Sequence, residues 1–204
     1  MRPDWILRVK ENLDLPLPGW EAQRQLIPEG RLPHEDQGDY HPASVLIALY
    51  HKDSEWVFPV IRRTEDGFAH SGQIALPGGR QDGDESLQET AVREAWEEIG
   101  LPDQGVEILG ELSSLPIPVS KYRVYPFVAF IKDVPDLVPE PKEVDEIFEI
   151  KVSDLCEGNI RFEKRSFGKQ EWNIPYYDIQ DLKIWGATSM ILSEFSAILR
   201  RDQS

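Results

Sequence analysis

The chain has 204 residues, of which 40% are hydrophobic and 29% charged, and its formal net charge at pH 7 is −15. This composition is ordinary for a globular domain and excludes a fibrous or wholly disordered chain. The negative charge repels phosphate backbones and anionic lipids, so we expect neither nucleic acid nor a membrane as a partner. A phosphate-containing ligand would need cations in its site, supplied by a metal or by arginine and lysine side chains.

Three features of the sequence predict a cytoplasmic protein. The longest apolar run, residues 45–50, is too short to cross a bilayer. The N-terminus lacks the basic segment and apolar core of a secretory signal. Cys156 is the single cysteine, which excludes an internal disulfide and agrees with a reducing compartment.

The first 42 residues are predicted to form a helix followed by a proline-rich arm. Ile6, Val9 and Leu13 have helical spacing behind Asp4, which is a candidate N-cap. Prolines then interrupt the pattern at positions 16, 18, 28, 33 and 42. Because this stretch contains large apolar residues such as Trp20, we expect it to pack on the domain that follows, residues 43–204.

The remainder of the chain is richer in predicted strands than in helices. Residues 44–50 and 56–62 are rich in β-branched and aromatic residues around a polar turn, a pattern typical of a hairpin. Further strands are predicted at residues 74–76, 106–112, 124–131 and 146–152, with weaker candidates around residue 160 and at 174–179. Helices are predicted over residues 86–99 and near the C-terminus. This order indicates a mixed α/β (α+β) class, a mixed sheet flanked by helices.

The predicted helix over residues 86–99 has a start signal at its N-terminus and a stop signal at its C-terminus. Ser86 and Glu89 have the spacing of a capping box, in which each residue's side chain bonds the other's backbone. Gly100, followed by Leu101 and Pro102, is typical of a left-handed helix end. We therefore expect the phase of this helix, and hence the direction of each side chain, to be well defined.

Three glutamates crowd one face in the C-terminal half of this helix: Glu94, Glu97 and Glu98. Like charges repel there and the helix dipole disfavours anions, so a face tuned for stability would carry lysine instead. Clustered oxygen ligands without His or Cys select hard cations, Mg²⁺ or Mn²⁺ ahead of Zn²⁺. Gly78 and Gly79 would let bare backbone approach such a cation. A solvated acidic face is the alternative interpretation.

The segment from Gly79 through Glu85 to residues 93–101 matches the Nudix box, and the chain therefore resembles the Nudix hydrolase family. The resemblance implies a Nudix-type α/β/α sandwich with a mixed central β-sheet. It also implies hydrolysis of a nucleoside diphosphate linked to another group. By position, Glu94, Glu97, Glu98 and the carbonyl of Gly79 would be metal ligands. Glu85 and Arg93 would brace the loop-helix-loop by an ion pair.

Residues 60–64 and 72–79, upstream of the box, resemble the signature of the coenzyme A pyrophosphatase branch. Phe68 stands where that signature has arginine, and Leu76 where it has phenylalanine. Coenzyme A would be cleaved to 3′,5′-ADP and 4′-phosphopantetheine. The alternatives are ADP-ribose or another nucleoside diphosphate derivative, and a nucleotide-binding sensor that keeps the fold without the chemistry.

The resemblance leads to a hypothesis for the mechanism. Mg²⁺, or Mn²⁺ in its place, would neutralise the diphosphate and activate a water for in-line attack on phosphorus. Arg62, Arg63 and the backbone of Gly78 are candidate substrate contacts, although the two arginines could equally be solubilising residues. The general base would come from the box glutamates Glu97 and Glu98, or from the later Glu143 and Glu146. A homodimer that uses the arm is a further hypothesis.

Overall fold

The computed structural model describes residues 2–28, 39–64, 72–167 and 170–203. The helices are α1 (Asp4–Asp14), α2 (Trp20–Gln23), α3 (Leu87–Ile99), α4 (Val152–Glu157) and α5 (Ala187–Leu199), with 3₁₀ turns at Arg24–Leu26 and Arg200–Gln203. The strands are β1 (His41–Lys52), β2 (Glu55–Arg63), β3 (Ile74–Ala75), β4 (Gly78–Arg80), β5 (Val106–Glu111), β6 (Leu115–Ile117), β7 (Tyr122–Ile131), β8 (Val144–Lys151), β9 (Asn159–Phe167), β10 (Gln170–Ile179) and β11 (Leu182–Trp185). In the part of the chain that is described, no helix is long and apolar enough to cross a membrane.

The central sheet has eight strands and is mixed, as the sequence predicts. Its main path runs β3-β2-β1-β7-β5, while β4 pairs with β1, β6 with β7 and β8 with β2. Strands β1 and β7 are parallel along their length, and their other partners are antiparallel. Strands β9, β10 and β11 form a separate antiparallel sheet.

Helices cover both faces of the central sheet, which confirms the predicted sandwich. Side chains alternate along β1, so Leu46 and Ala48 join the apolar cluster under α3, whereas Ile47 and Leu49 join the cluster under α1 and α5. Burial on both faces explains why β1 has a nearly continuous apolar run. The face covered by α3 is called the α3 face below, and the other the α5 face.

The arm contains more regular structure than its prolines predict. On α1, Ile6, Val9 and Leu13 are all buried in the core. The helix begins at Asp4 with Pro3 in the N-cap position, so the prediction of Asp4 as N-cap is wrong. Helix α2 packs on α5, where the Ser193 hydroxyl donates to a backbone carbonyl of α2 at 2.8 Å. The division of the chain at residue 42 stays a prediction.

Several element boundaries differ from the predicted ones. The first hairpin extends through Lys52 and Glu55, so only Asp53 and Ser54 form the turn, with φ of 49° and 68°. Strand β8 begins at Val144, two residues before its predicted start, and the predicted strand end at Val152 is instead the first residue of α4. The short strands β6 and β11 have no counterpart in the prediction, because two to four residues carry too little periodicity.

Candidate metal and phosphate site

Helix α3 is fixed at both ends as the sequence predicts. The Ser86 hydroxyl accepts from the Glu89 amide at 3.2 Å, and the Glu89 carboxylate accepts from the Ser86 amide at 2.7 Å. Gly100 ends the helix in the left-handed region at φ 67°. Ala91, Ala95 and Ile99 form its fully buried face. Trp96 is 57% exposed, although helical spacing groups it with Ala91, Ala95 and Ile99.

Glu98 is the most deeply buried carboxylate on α3, with 1% of its surface exposed. One carboxylate oxygen accepts from the Gly78 amide at 2.8 Å, and the other lies 3.4 Å from Nη1 of Arg63. Burial raises the pKa of Glu98 to about 8, although the Gly78 amide and Arg63 both act to lower it. The site therefore holds an acidic group whose negative charge the protein compensates only in part.

Strand β4 brings bare backbone against α3. Gly78 has φ of 151°, and a Cβ on it would lie 2.2 Å from the carbonyl oxygen of Ser44. A Cβ on Gly79 would lie 2.4 Å from the carboxylate carbon of Glu94. Any residue larger than glycine would therefore fill the space between backbone and carboxylate. Gly78 and Gly79 pair with β1 as part of a short antiparallel strand.

Arg93 connects the loop before α3 to the helix. It donates from Nε and Nη2 to the two carboxylate oxygens of Glu85 at 3.0 and 2.8 Å, and from Nη2 to the carbonyl of Arg80 at 3.0 Å. The hydrogen bonds from Arg93 lower the pKa of Glu85 to about 2. Thr90, which the sequence analysis did not single out, donates to Glu85 at 2.9 Å. The loop and helix are thus held together through one carboxylate.

The three box glutamates differ in their surroundings. Arg93 donates from Nη1 to Glu94 at 2.9 Å and to Glu97 at 2.8 Å, whereas Glu98 faces Gly78. Burial also raises the pKa of Glu94, while Arg93 lowers it. The side chain of Glu97 is 47% exposed. Among the described residues, no group of three or more His, Cys, Asp or Glu side chains is arranged to hold a metal.

Two carboxylates of α3 that lie against the β4 backbone nevertheless fit a hard cation. Mg²⁺ is usually bound through one or two carboxylates, with waters and substrate phosphates as its other ligands, rather than by an all-protein cage. Glu94 and Glu98 supply that number of carboxylates, and both carry the raised pKa of an incompletely compensated charge. The donor set contains only oxygen, which Mg²⁺ and Mn²⁺ prefer.

Strand β2 directs its two arginines to opposite faces of the sheet. Arg63 contacts Glu98 on the α3 face, whereas Arg62 donates to Glu146 of β8 at 2.9 Å and lies 4.8 Å from the centre of the Phe148 ring. Arg62 lies opposite Glu146 in the regular β2–β8 register, and a register shift directly after it pairs Arg63 with Val144. The structure therefore does not bring Arg62 and Glu146 together with the box glutamates.

Glu143, unlike Glu146, lies close enough to Glu94 and Glu98 to act on their charge. The loop before β8 is attached to the end of α3 by two backbone hydrogen bonds. The Val138 amide donates to the backbone carbonyl of Ile99, and the Glu140 amide donates to the backbone carbonyl of Glu98, both at 2.9 Å. The charge of Glu143 contributes to the raised pKa of Glu94 and Glu98. Glu143 is exposed and can thus approach a ligand. Phe68 of the upstream signature lies outside the described residues.

The sequence profile described as the NUDIX domain matches residues 40–170. The chain belongs to the Nudix hydrolase family, enzymes that act on the pyrophosphate bonds of nucleoside diphosphate derivatives and generally depend on divalent metals.

Known proteins agree with this assignment. The chain is 29% identical to Nudix hydrolase 3 of Caenorhabditis elegans over 179 residues, covering 78% of this chain and 73% of the relative. It is 33% identical to the uncharacterised Nudix hydrolase NudL of Photorhabdus laumondii over 156 residues, covering 76% and 82%. The crystal structure of a MutT protein from Methanosarcina mazei superimposes with a TM-score of 0.54 at 19% identity, covering 82% of this chain and 98% of that one. This likeness shows the fold.

Proposed function

We propose that the protein hydrolyses the pyrophosphate linkage of coenzyme A or a coenzyme A derivative, giving 3′,5′-ADP and 4′-phosphopantetheine. Glu94, Glu98 and the carbonyl of Gly79 hold Mg²⁺, with Mn²⁺ as a substitute, and Glu97 lies at the rim. The observation that carries this proposal is the buried carboxylate of Glu98, held against the Gly78 amide beside Arg63.

A purely structural role explains Glu98 poorly. A buried charge is costly unless hydrogen bonds and an opposite charge compensate it. Glu98 has one backbone donor and one arginine contact at 3.4 Å, and its raised pKa reports the deficit. A divalent cation supplies the missing positive charge, and it would polarise a bound diphosphate and neutralise charge that develops in the reaction. The same cation lets a protein of net charge −15 accept an anion.

The segments that resemble the coenzyme A branch lie around this carboxylate. The Arg63 amide donates to the backbone carbonyl of Gln73 at 3.0 Å, and the Gly72 amide donates to the backbone carbonyl of Arg63 at 3.2 Å. The first segment thereby aims Arg63 at Glu98, and the second continues into Gly78. This arrangement supports a role for both segments in binding the substrate diphosphate, with Arg63 and the Gly78 backbone as contacts.

Glu143 is the better of the two later candidates for the general base. It lies on a loop fastened to the end of α3, and its charge reaches both Glu94 and Glu98. Glu146 is instead paired with Arg62 on the α5 face. A base within hydrogen-bond reach of the attacking water, directly or through one further water, removes its proton during attack. We therefore assign this role to Glu143.

A substrate panel with Mg²⁺ tests the proposal. Coenzyme A, ADP-ribose and a dinucleotide are compared by kcat/KM, with mass spectrometry of the products. We expect coenzyme A to be preferred and to yield 4′-phosphopantetheine. If coenzyme A is cleaved no faster than ADP-ribose, or is not cleaved at all, ADP-ribose is favoured as the substrate. If the protein binds nucleotides but cleaves none of them, it is a sensor.

Three further hypotheses accompany this function. The enzyme works in the cytoplasm, residues 1–42 form an arm that packs on the catalytic domain, and the protein is a homodimer. Small-angle scattering of the full chain over a range of concentrations measures the last of these. A monomer at all concentrations contradicts it.

A further inference from the structure

A polar cavity, separate from the site around Glu98, lies between the central sheet and the small β9–β11 sheet. Its volume is about 220 Å³, and three cationic side chains line it: Arg62, Arg165 and Lys183. Arg62 belongs to β2 but points away from Glu98, so the cavity opens on the α5 face. Gly72 and Gln73, just before β3, and Ile74, its first residue, also line the cavity. This volume accommodates one part of a nucleotide rather than the whole.

Each of the three cations rests on an aromatic ring. The Arg165 guanidinium lies 4.5 Å from the centre of the Trp185 ring, Arg62 lies 4.8 Å from Phe148, and the Lys183 ammonium lies 5.3 Å from Tyr176. A ring stabilises and orients a cation without neutralising it. A guanidinium stacked in this way keeps the N–H groups at its edge directed into the plane, where they bind phosphate in a bidentate manner.

Carboxylates near the cavity hold the cations but do not outnumber them in its lining. Asp181 is the acidic residue among the lining side chains. Glu163, outside the lining, accepts from Arg165 at 3.1 Å and from Lys183 at 3.0 Å, and Glu146 accepts from Arg62 at 2.9 Å. Exposed ion pairs of this kind are weak, about 0–1 kcal/mol, and exchange readily for a better anion. Within the lining itself, three cationic side chains accompany one carboxylate, so a phosphate that displaces these ion pairs gains charge-assisted hydrogen bonds.

We infer that this cavity is a subsite for a phosphate group, bound by Arg62, Arg165 and Lys183 beside the Trp185 ring. The inference deepens the proposed function, because coenzyme A carries a 3′-phosphate that ADP-ribose lacks. The phosphate has two chemical sources: a second phosphate on the substrate itself, or a separate phosphorylated small molecule. Recognition of the substrate phosphate would make the pocket a determinant of specificity, remote from the bond that is cleaved.

The test removes two cations while retaining their apolar stems. In the double variant Arg165→Met with Lys183→Met, the long side chains still cover Trp185 and Tyr176. Arg161→Met is the matched control, because Arg161 lies on the same β9 strand, pairs with Asp178 at 2.8 Å and does not line the cavity. Thermal unfolding of the three proteins establishes that each is folded.

Binding of adenosine 3′,5′-bisphosphate and of AMP is measured first, by calorimetry in the absence of metal. Wild type and Arg161→Met are expected to bind the bisphosphate at least tenfold more tightly than AMP, and the double variant is expected to lose this preference. If wild type shows no preference, or the double variant keeps it while folded, the subsite is overturned.

Kinetics with Mg²⁺ then identify the source of the phosphate. The ratio of kcat/KM for coenzyme A over dephospho-coenzyme A is expected to fall at least tenfold in the double variant if the subsite binds the substrate. An unchanged ratio together with lost bisphosphate preference assigns the subsite to a separate phosphorylated ligand. If wild type prefers the bisphosphate but cleaves no coenzyme A, the proposed substrate is wrong and the phosphate subsite stands.

Discussion

The two faces of the central sheet each bury a glutamate, and they treat its charge in opposite ways. Glu194 of α5 is 0% exposed and Glu98 of α3 is 1% exposed. Glu194 accepts from the Gly19 amide at 3.0 Å, from the Gln23 side chain at 2.9 Å and from the Ser113 amide at 3.2 Å. Its three donors come from distant parts of the chain. Glu194 therefore fastens the arm to the domain.

Among the described residues, Glu98 has no comparable set of donors. It has the Gly78 amide and a long contact with Arg63, and burial leaves its pKa raised to about 8. The comparison teaches that two equally buried carboxylates can differ in how many N–H groups compensate their charge. A carboxylate with fewer donors keeps more lone pairs for a cation, which is why Glu98 rather than Glu194 is proposed as a metal ligand.

The largest effect in this comparison is expected from replacing Glu98, the proposed metal ligand, by glutamine. Glu98→Gln keeps the shape but removes the ligating charge, so we expect kcat/KM to fall on the order of a hundredfold or more. Steady-state hydrolysis with Mg²⁺ measures this, and circular dichroism checks that the variant is folded. Hydrolysis at the wild-type rate would refute the metal site.

The assignment of the general base is tested by a matched pair. Glu143→Gln is expected to lower kcat by about a hundredfold, the lower end of the usual contribution of a general base. Glu146→Gln should cost less, since Glu146 pairs with Arg62 on the α5 face. Both are measured under saturating substrate. A larger loss in Glu146→Gln contradicts the assignment of Glu143.

On the α5 face, Glu194→Gln should weaken folding rather than catalysis. The amide group that replaces one oxygen faces N–H donors, so we expect the free energy of unfolding to fall by about 2 kcal/mol. Urea titration measures this change, while kcat/KM below the unfolding transition should stay near wild type. Loss of activity without loss of stability would show that Glu194 serves the reaction.

Metal binding should have a smaller effect, a change in the free energy of unfolding that differs between the Glu98 and Glu194 variants. A tenfold excess of Mg²⁺ over its dissociation constant stabilises the folded state by about 1.4 kcal/mol through linkage. Denaturant titrations with Mg²⁺ and with a chelator measure this difference. We expect Glu194→Gln to retain it and Glu98→Gln to lose most of it. Equal stabilisation of both variants would place the metal elsewhere.

Much of α3 could be predicted from sequence because its determinants are local. The capping box at Ser86 and the left-handed end at Gly100 involve residues within one helical turn, and both are present in the structure. The contact between Glu85 and Arg93 spans eight positions and was implied by the family motif. Trp96 shows the limit, since helical spacing groups it with the apolar residues of α3 while 57% of its surface is exposed in the structure.

The opposite directions of Arg62 and Arg63 needed the structure. Alternation along a strand separates neighbouring side chains, but the strand must first be paired before each face has a meaning. Pairing with β8, whose residues lie more than 80 positions away, sets Arg62 opposite Glu146, while Arg63 contacts Glu98. The cavity at Arg165 and Lys183 likewise depends on how the small sheet meets β3.

By itself, the sequence determined the class of fold, the ends and phase of α3, and the family to which the chain belongs, because these depend on short-range periodicity and a contiguous motif. The tertiary structure decided which glutamate is buried without enough donors, which arginine faces it, and where a second group of cations gathers. The physical reason is that the cost of burying a charge depends on every donor and dipole around it. Those groups come together only when distant segments pack.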